Sequence, residues 1–432
     1  MNPGGPLVGN NLFSIHEEIH DKNYLLATYY IELPADCDVS DKAASMATGQ
    51  TIGTWVPVPG ITQEMRDTHM GCVVSIQELP PQELSTLKAV EFIPYLIQIG
   101  YPVINFEDCL PMVLTTLLGN DASTSAQVKL LDVQFPKSYL EKFAGPRFGI
   151  KGLRELTGIS DRPLVLNMIK PCTGFSPQVG ADIFRQTALG GVDFIKDDEL
   201  LGNPSFCPAI ERVKAYNQAA RQVFEQTGQK TRYIVNATER ADRLLDHVKR
   251  LVDAGAEMLM LNFATVGYSM FRAIAQTVDI PVMGHYAGSG MFYEGAISGM
   301  SSPIALGKLP RLCGADIVMI NTPYGGYPLQ RLKYLQTAQA LSLPWCGIQP
   351  VMPSVGGGVH PGLVQRFITD LGKDIILAPG GSVQGHPGGA TAGAKAMMQA
   401  IDAVVNEISL QEAAKQHSEL RQALSLWGIL EV

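Results

Sequence analysis

Residues 190–199 of the chain read Gly-Gly-Val-Asp-Phe-Ile-Lys-Asp-Asp-Glu, in which the apolar residues Val192, Phe194 and Ile195 are followed directly by four charged residues. These apolar residues predict a short buried strand, where charges are avoided because burying them unpaired is costly. Residues two apart on a strand share one face, so Lys196 and Asp198 project together, and Glu199 joins them where the strand ends. The stretch therefore predicts a charged site at the end of a core strand.

Two adjacent carboxylates at a strand end suit Mg²⁺, which takes oxygen ligands and keeps positions open for water or substrate. The ammonium of Lys196 would repel that ion, unless its amine reacts with carbon dioxide to form a carbamate and so supplies a third oxygen ligand. The alternative is a lysine–carboxylate cluster that forms only solvated salt bridges. These residues alone leave both interpretations open.

Length and composition indicate a compact protein of two domains, with 432 residues, 46% of them hydrophobic and 17% charged. The net charge of −8 and the lack of a basic stripe argue against nucleic acid as a partner. The seven cysteines are odd in number and form no CxxC pair, which is typical of reduced thiols in a cytoplasmic protein. We expect no membrane partner, because no signal peptide or apolar run of transmembrane length is found.

The N-terminal part, residues 1–140, predicts an α+β (ferredoxin-like) domain. Its predicted strands are residues 23–33, 71–79, 103–105 and 128–133, and its predicted helices are residues 42–48 and 83–96. Gly49–Trp55 carries glycines and hydroxyls whose amides could approach an anion, although such a segment alone is more often just a loop. Residues 145–149 look like the linker to the second domain.

The second domain, residues 141–432, alternates short apolar strands with helical stretches and ends in apolar helices. Strands are predicted at residues 164–170, 192–198, 233–238, 258–263, 281–285, 316–321, 347–353 and 374–381. Eight such units predict a (β/α)₈ barrel, whose active site belongs at the C-terminal ends of its strands. The polar residues that fall there are Lys170, Lys196, Asp198, Glu199, Asn236, Asn262, His285 and Asn321. This coincidence favours a catalytic site over solvated salt bridges.

Glycine pairs follow the last two predicted strands, Gly357-Gly358 after the seventh and Gly380-Gly381 after the eighth. Barrels of this kind commonly hold phosphate in these two loops, and glycines let backbone amides close on the oxygens. One such loop would indicate no more than a turn at a helix start. Two of them at the expected places predict a phosphate site.

From Leu25 to Val432 the chain resembles the large subunit of RuBisCO, and more closely the RuBisCO-like proteins. The stretch at residues 190–199 is similar to the family segment that carries a carbamylated lysine and two magnesium carboxylates. The resemblance implies that Lys196 is the carbamate and that Asp198 and Glu199 are the other ligands.

Further positions follow from the same resemblance. Ile169-Lys170-Pro171 is similar to the family's catalytic lysine motif, which implies that Lys170 moves a proton, and His285 falls on a catalytic histidine region. The two glycine pairs and Thr54 match the first phosphate site. The segments Gly53-Thr54-Trp55 and Gly119-Asn120 match those that complete the active site of the neighbouring subunit, so a homodimer with shared sites is implied.

Departures from the family pattern argue against carbon dioxide fixation. Cys172 replaces a second lysine of RuBisCO, and residues 321–326 lack the lysine of the loop after the sixth strand. Tyr286 follows His285 where cations for a second phosphate are expected. We therefore expect a substrate with one phosphate.

Among RuBisCO-like proteins the chain is most similar to the methionine-salvage enolase that acts on a diketo methylthiopentyl phosphate, for example at residues 306–309 and 358–362. The proton-abstracting lysine of that enolase stands where this chain has Asn120, and an amide cannot remove a proton. Either Lys170 takes over, or the reaction differs.

The expected function is that of a homodimeric, Mg²⁺-dependent isomerase or lyase that forms an enediolate on a singly phosphorylated keto-sugar or keto-acid. Isomerisation, enolisation and decarboxylation of a β-keto acid all pass through this intermediate, and decarboxylation needs no base to start it. Two alternatives are weaker: a non-catalytic relative, which would be expected to lose some of these residues, and an aldolase that forms a Schiff base on Lys170 or Lys196.

Overall fold

The structure is a computed structural model that describes residues 12–20, 22–53, 58–81 and 90–430. It divides into two compact units. The first comprises the described residues up to Phe143 together with Ser289–Ala305, and the second comprises Ala144–Gly288 and the described residues from Leu306 onward. Within these ranges no helix has the length and apolarity needed to cross a membrane.

Strands and helices alternate along most of the chain. In chain order, the strands are β1 (Tyr24–Pro34), β2 (Cys72–Glu78), β3 (Phe92–Pro102), β4 (Lys129–Gln134), β5 (Leu164–Met168), β6 (Phe194–Lys196), β7 (Arg232–Asn236), β8 (Met258–Asn262), β9 (Val282–His285), β10 (Gly299–Met300), β11 (Ile317–Asn321), β12 (Met352–Gly356) and β13 (Ile376–Leu377). The α-helices are α1 (His16–His20), α2 (Val39–Gly49), α3 (Gln63–His69), α4 (Leu110–Leu118), α5 (Lys137–Leu140), α6 (Gly149–Thr157), α7 (Pro177–Ala188), α8 (Ala209–Thr227), α9 (Ala241–Asp253), α10 (Phe263–Val266), α11 (Tyr268–Thr277), α12 (Gly290–Tyr293), α13 (Leu309–Leu312), α14 (Arg331–Ser342), α15 (Val364–Leu371), α16 (Gly381–Gln384), α17 (Gly389–Val405), α18 (Leu410–Gln416) and α19 (Ser418–Trp427). Short 3₁₀ segments lie at Val103–Asn105 and Pro361–Leu363, and π-helical turns lie at Asp121–Ser125 and Pro303–Lys308.

The first unit is built on one five-stranded sheet in the order β10-β4-β1-β3-β2. The central strand β1 pairs antiparallel with both β3 and β4, and β10 runs parallel to β4. Ala27, Tyr29 and Ile31 are fully buried on one face of β1, as expected for a half-covered antiparallel strand. An α+β N-terminal domain with an antiparallel sheet is thus confirmed.

Two predicted elements of this unit are wrong. Of the predicted helix at residues 83–96, residues 83–89 lie outside the described part, and residues 92–96 belong to strand β3, which continues to Pro102. A helix over these residues would lose a backbone hydrogen bond at Pro94. As a strand, β3 buries alternate residues such as Ile97 and Ile99 and pairs with β1 along its whole length. Residues 103–105 form a 3₁₀ turn rather than a strand, because β3 ends just before them.

The second unit is a closed barrel of eight parallel strands in the order β5-β6-β7-β8-β9-β11-β12-β13, and β13 pairs with β5 to close it. This confirms the predicted (β/α)₈ barrel. Its packed core is rich in methionine, with Met258, Met260, Met283, Met319 and Met352 all buried, and these flexible side chains fill irregular gaps well.

The turn into β6 explains the two glycines of the opening stretch. Gly191 has φ of +95°, a left-handed conformation that favours glycine. A Cβ atom on Gly190 would overlap the side chain of Ala394 on α17. Glycine at both positions therefore allows helix α7 to turn tightly into β6 and allows α17 to pack against that turn.

The seventh barrel strand lies later than predicted, at Met352–Gly356 rather than residues 347–353. The preceding segment is held by the buried guanidinium of Arg311, which donates to the carbonyl oxygens of Ile348 at 2.7 Å and Gln349 at 3.0 Å. These carbonyls are therefore unavailable to a strand ladder. The shift brings Gly357 to the position directly after the strand.

Candidate active site

Strand β6 ends on Lys196, whose side chain is fully buried. Its Nζ donates to the carbonyl oxygen of Asp197 at 2.9 Å and lies 3.5 Å from Oε2 of Glu199. The pKa of Lys196 is lowered from its usual value because burial penalises the ammonium, although the neighbouring carboxylates oppose this shift. A lowered pKa favours the neutral amine, which is the form that reacts with carbon dioxide.

Lys170 follows strand β5 and reaches the same end of the barrel. Its Nζ donates to Oδ2 of Asp198 at 2.6 Å and to Sγ of Cys172 at 3.1 Å. Burial alone would lower the pKa of Lys170, but these two hydrogen bonds outweigh it and the pKa is raised. In this arrangement Lys170 is an ammonium and can donate a proton.

His285, the last residue of β9, is buried, and its Nε2 lies 3.5 Å from Oε2 of Glu199. Its Nδ1 accepts a hydrogen bond from the amide of Ala287 at 3.1 Å, and its ring stacks on Tyr286 with a centroid distance of 5.0 Å. Burial holds the pKa of His285 well below its usual value, because it penalises the charged imidazolium. The imidazole is thus neutral, with its proton on Nε2.

The turn that carries Asp198 and Glu199 is held by side-chain amides from the next two strands. Asn236 on β7 donates to the carbonyl oxygens of Asp198 at 3.3 Å and Glu199 at 3.1 Å, and Asn262 on β8 donates to that of Glu199 at 3.1 Å. These asparagines were predicted at the rim of the barrel. They bind the backbone of the acidic turn and so fix the direction of its carboxylates.

Asp197 has a different role from its three charged neighbours, and this role was not predicted from the sequence. Its fully buried Oδ2 accepts hydrogen bonds from Arg212 at 3.0 Å, Tyr233 at 2.6 Å and the amide of Asn236 at 2.9 Å. The alternation of a strand, which puts Asp197 opposite Lys196 and Asp198, was the available signal. The charged run therefore divides into one structural anchor and three residues of the candidate site.

The donor set at the end of β6 suits a hard cation only in part. Across the described ranges, no three His, Cys, Asp or Glu side chains are grouped so that they could hold a metal ion. Asp198 and Glu199 offer two carboxylates, and the neighbouring amine of Lys196 is a third ligand only when carbamylated. With that modification the three oxygen donors fit Mg²⁺.

The two glycine pairs lie on adjacent strands of the barrel, since β12 pairs with β13. Gly357 and Gly358 directly follow β12 with φ of +85° and +105°, and Gly380 and Gly381 form the start of α16. In the described part of the chain, the amides of these four glycines donate no hydrogen bond to a protein acceptor. They are free to bind an anion.

Asn120 belongs to the first unit, where it is exposed and precedes the π-helical turn Asp121–Ser125. Gln50 joins its segment to the Gly49–Gly53 segment, because Gln50 donates to the carbonyl oxygen of Thr116 at 2.6 Å and accepts from the amide of Asp121 at 3.3 Å. The two N-terminal segments singled out in the sequence thus lie side by side. Thr54 itself lies outside the described residues.

Comparison with known families places nearly the whole chain. Residues 15–139 match the N-terminal domain of the ribulose bisphosphate carboxylase large chain, and residues 149–427 match its catalytic domain. A ribulose bisphosphate carboxylase-like protein of Archaeoglobus fulgidus is 39% identical over 418 residues, which cover 96% of this chain and 95% of that protein. A 2,3-diketo-5-methylthiopentyl-1-phosphate enolase of Geobacillus kaustophilus is 37% identical over 411 residues, which cover 94% and 99%.

Solved structures give the same result. A rubisco-like protein from Alicyclobacillus acidocaldarius superposes with a TM-score of 0.86 at 35% identity, over 94% of this chain and 100% of that chain. A dimeric archaeal Rubisco from Hyperthermus butylicus superposes with a TM-score of 0.84 at 30% identity, over 94% and 96%.

Proposed function

Because the chain belongs to the RuBisCO large-chain family and is similar to RuBisCO-like proteins along nearly its whole length, we propose that it is a Mg²⁺-dependent enzyme which forms an enediolate on a singly phosphorylated keto-sugar or keto-acid. The observation that carries this proposal is the meeting of Lys196, Glu199 and the Lys170–Asp198 pair at the C-terminal ends of β5 and β6. That end of a barrel is where catalytic groups are found.

The metal site would consist of Asp198, Glu199 and Lys196, the last carrying carbon dioxide as a carbamate. Mg²⁺ held there would supply the positive charge that stabilises an enediolate. The amides of Asn236 and Asn262 keep the two carboxylates in place through the backbone of the turn. Their support reduces the reorganisation that ligand binding would otherwise require.

Proton transfer is assigned to Lys170. As an ammonium it can donate a proton to the substrate, and it can act as a base only after it has lost that proton. His285 is neutral and presents Nε2–H toward Glu199, so its role is to orient that carboxylate or to donate a hydrogen bond to the substrate.

The phosphate of the substrate would bind to the free amides of Gly357, Gly358, Gly380 and Gly381, with Thr54 contributed by the neighbouring subunit of a homodimer. The resemblance to RuBisCO implies that the cations which hold a second phosphate there are missing here, since Tyr286 follows His285 in their place. In this proposal carbon dioxide is a component of the site, as the carbamate on Lys196, and it is not a substrate.

Two reactions fit this site. Relatives named as the diketo-methylthiopentyl-phosphate enolase are 37% and 36% identical to the chain over 94% of its length, and they favour enolisation with Lys170 as the proton-transferring group. Asn120, which cannot abstract a proton, favours decarboxylation of a β-keto sugar-acid phosphate, because loss of carbon dioxide itself generates the enediolate. A non-catalytic homologue would turn over neither substrate class.

We expect phosphate-monoester ketoses and keto-acids to bind better than ribulose 1,5-bisphosphate, and no labelled carbon dioxide to be incorporated into product. A second phosphate dianion would enter without a counter-charge, which costs several kcal/mol and forfeits affinity by orders of magnitude. The measurement is a panel of binding titrations together with a radiolabelled carboxylation assay. Measurable carboxylation, or tighter binding of the bisphosphate than of any monophosphate, would contradict the proposed substrate class.

Sharing of the active site between subunits leads to a complementation experiment. Chains with Asn120→Ala and chains with Lys196→Ala should each be inactive as homodimers. A mixed dimer should regain activity, because one of its two sites combines a native Asn120 segment with a native Lys196. Unchanged inactivity of mixed dimers whose composition has been verified by mass spectrometry would argue against shared sites.

A further inference from the structure

The loop that follows strand β11, residues 322–330 and termed the β11 loop, is folded upon itself. The amide of Leu329 donates to the carbonyl oxygen of Thr322 at 3.1 Å, which closes the loop near its base. The amide of Tyr324 donates to Oγ1 of Thr322 at 3.1 Å, and Asn321 donates to the carbonyl oxygen of Tyr327 at 3.1 Å. The loop therefore has a defined shape of its own.

A charged cluster ties this loop to helix α15. The hydroxyl of Tyr324 donates to Oδ2 of Asp370 at 2.6 Å and accepts from Nε of Arg366 at 2.9 Å. The Asp370 carboxylate is fully buried and also accepts from Arg331 at 2.8 Å, at the start of α14. Hydrogen bonds to charged groups are stronger than those between neutral groups. Phe367, also on α15, packs against the Tyr324 ring at a centroid distance of 5.7 Å.

The tied loop lies directly on one of the glycine pairs. A Cβ atom on Gly325 would overlap the carbonyl oxygen of Gly357, and a Cβ atom on Gly358 would lie only 2.7 Å from Cα of Gly325. Gly325 does not have a left-handed φ, so it is the close approach and not the backbone conformation that demands glycine there. Any shift of the loop would change the space around the Gly357-Gly358 amides.

We propose that Tyr324 is a positioning residue: through Asp370 it holds the β11 loop as a fixed wall against Gly357-Gly358 and thereby sets the shape of the phosphate site. This inference rests on the proposed phosphate site, and it adds the group that keeps that site in its binding shape. The phenol of Tyr324 acts through the loop and does not touch the phosphate.

A double-mutant cycle on the affinity for inorganic phosphate, measured by calorimetry, tests this role. Tyr324→Phe removes only the hydroxyl that joins the loop to Asp370 and Arg366, and phosphate affinity should fall roughly fivefold to tenfold. Gly325→Ala forces the Gly357 loop to move and should reduce affinity by at least as much. In the Tyr324→Phe protein the β11 loop can move away from Gly357, so the same Gly325→Ala change should reduce phosphate affinity clearly less. That coupling is the readout that a general loss of stability would not produce.

Tyr334→Phe is the matched control. The ring of Tyr334 packs on Tyr324 at a centroid distance of 6.3 Å, but its buried hydroxyl has no hydrogen-bond partner in the described part of the chain, so phosphate affinity should not change. If the wild-type protein fails to bind phosphate, the proposed phosphate site is wrong. If the wild type binds phosphate and the Tyr324→Phe protein binds it equally well, or if the two changes are additive, the positioning role alone is refuted.

Discussion

Lys196→Ala is expected to abolish both Mg²⁺ binding and turnover. Without the carbamate, two carboxylates remain, and one of them is paired with Lys170. Loss of the metal removes several kcal/mol of charge stabilisation, which corresponds to a fall in kcat/KM of roughly a thousandfold or more. Equilibrium dialysis with Mg²⁺ in the presence of carbon dioxide, and turnover with the best monophosphate substrate, are the two measurements.

Lys170→Ala separates metal binding from proton transfer and is the control for that experiment. Its removal frees Oδ2 of Asp198 from a competing cation, so Mg²⁺ should bind at least as tightly as in the wild type while turnover is lost. Thermal unfolding would verify that both variants are folded. A Lys196→Ala protein that is folded, binds Mg²⁺ and turns over substrate would refute the assigned metal site.

Arg212→Met is expected to lower the free energy of unfolding by about 3–5 kcal/mol, because it leaves the fully buried Asp197 without its cation. The guanidinium on α8 also donates to the carbonyl oxygens of Leu201 at 3.3 Å and Gly202 at 2.6 Å, so those acceptors lose a partner as well. Urea unfolding of the two proteins under the same conditions gives the difference. A loss below about 1 kcal/mol, no more than an exposed ion pair contributes, would show that this pair does not anchor β6.

Lys214→Ala on the same helix is the matched control for the buried pair. Lys214 and Glu211 form an exposed ion pair at 3.1 Å, and such a pair contributes little, so stability should stay within about 0.5 kcal/mol of the wild type. The double variant with Arg212→Met and Asp197→Asn should lose less free energy of unfolding than the sum of the losses in the two single variants, because the unpaired charge is removed as well.

The barrel could be predicted because each of its units repeats the same pattern. A short apolar strand that is buried on both faces gives a continuous apolar run, and the polar residue that ends it marks the rim. Lys196, Asp198 and Glu199 stand out for this reason, and the structure brings Lys170 and His285 to them. The seventh strand was placed too early because the carbonyls before it are bound by Arg311, a contact between distant residues.

The parts that sequence did not predict depend on tertiary pairing. The start of strand β3 is predicted as a helix because its burial depends on pairing with β1, although Pro94 is a sequence signal against that helix. The anchoring of Asp197 needs Arg212 from the following helix, and the β11 loop needs Asp370 from a later one. Neither partner can be chosen from the chain until the fold has brought the residues together.

The most direct test of the central claim is carbon-13 NMR of the wild-type protein equilibrated with ¹³C-labelled carbon dioxide and Mg²⁺. The proposed site predicts a lysine carbamate signal that grows with Mg²⁺ and is missing from the Lys196→Ala protein. Mg²⁺ bound by the wild-type protein with no carbamate signal, or a carbamate that persists in the Lys196→Ala protein, would contradict it.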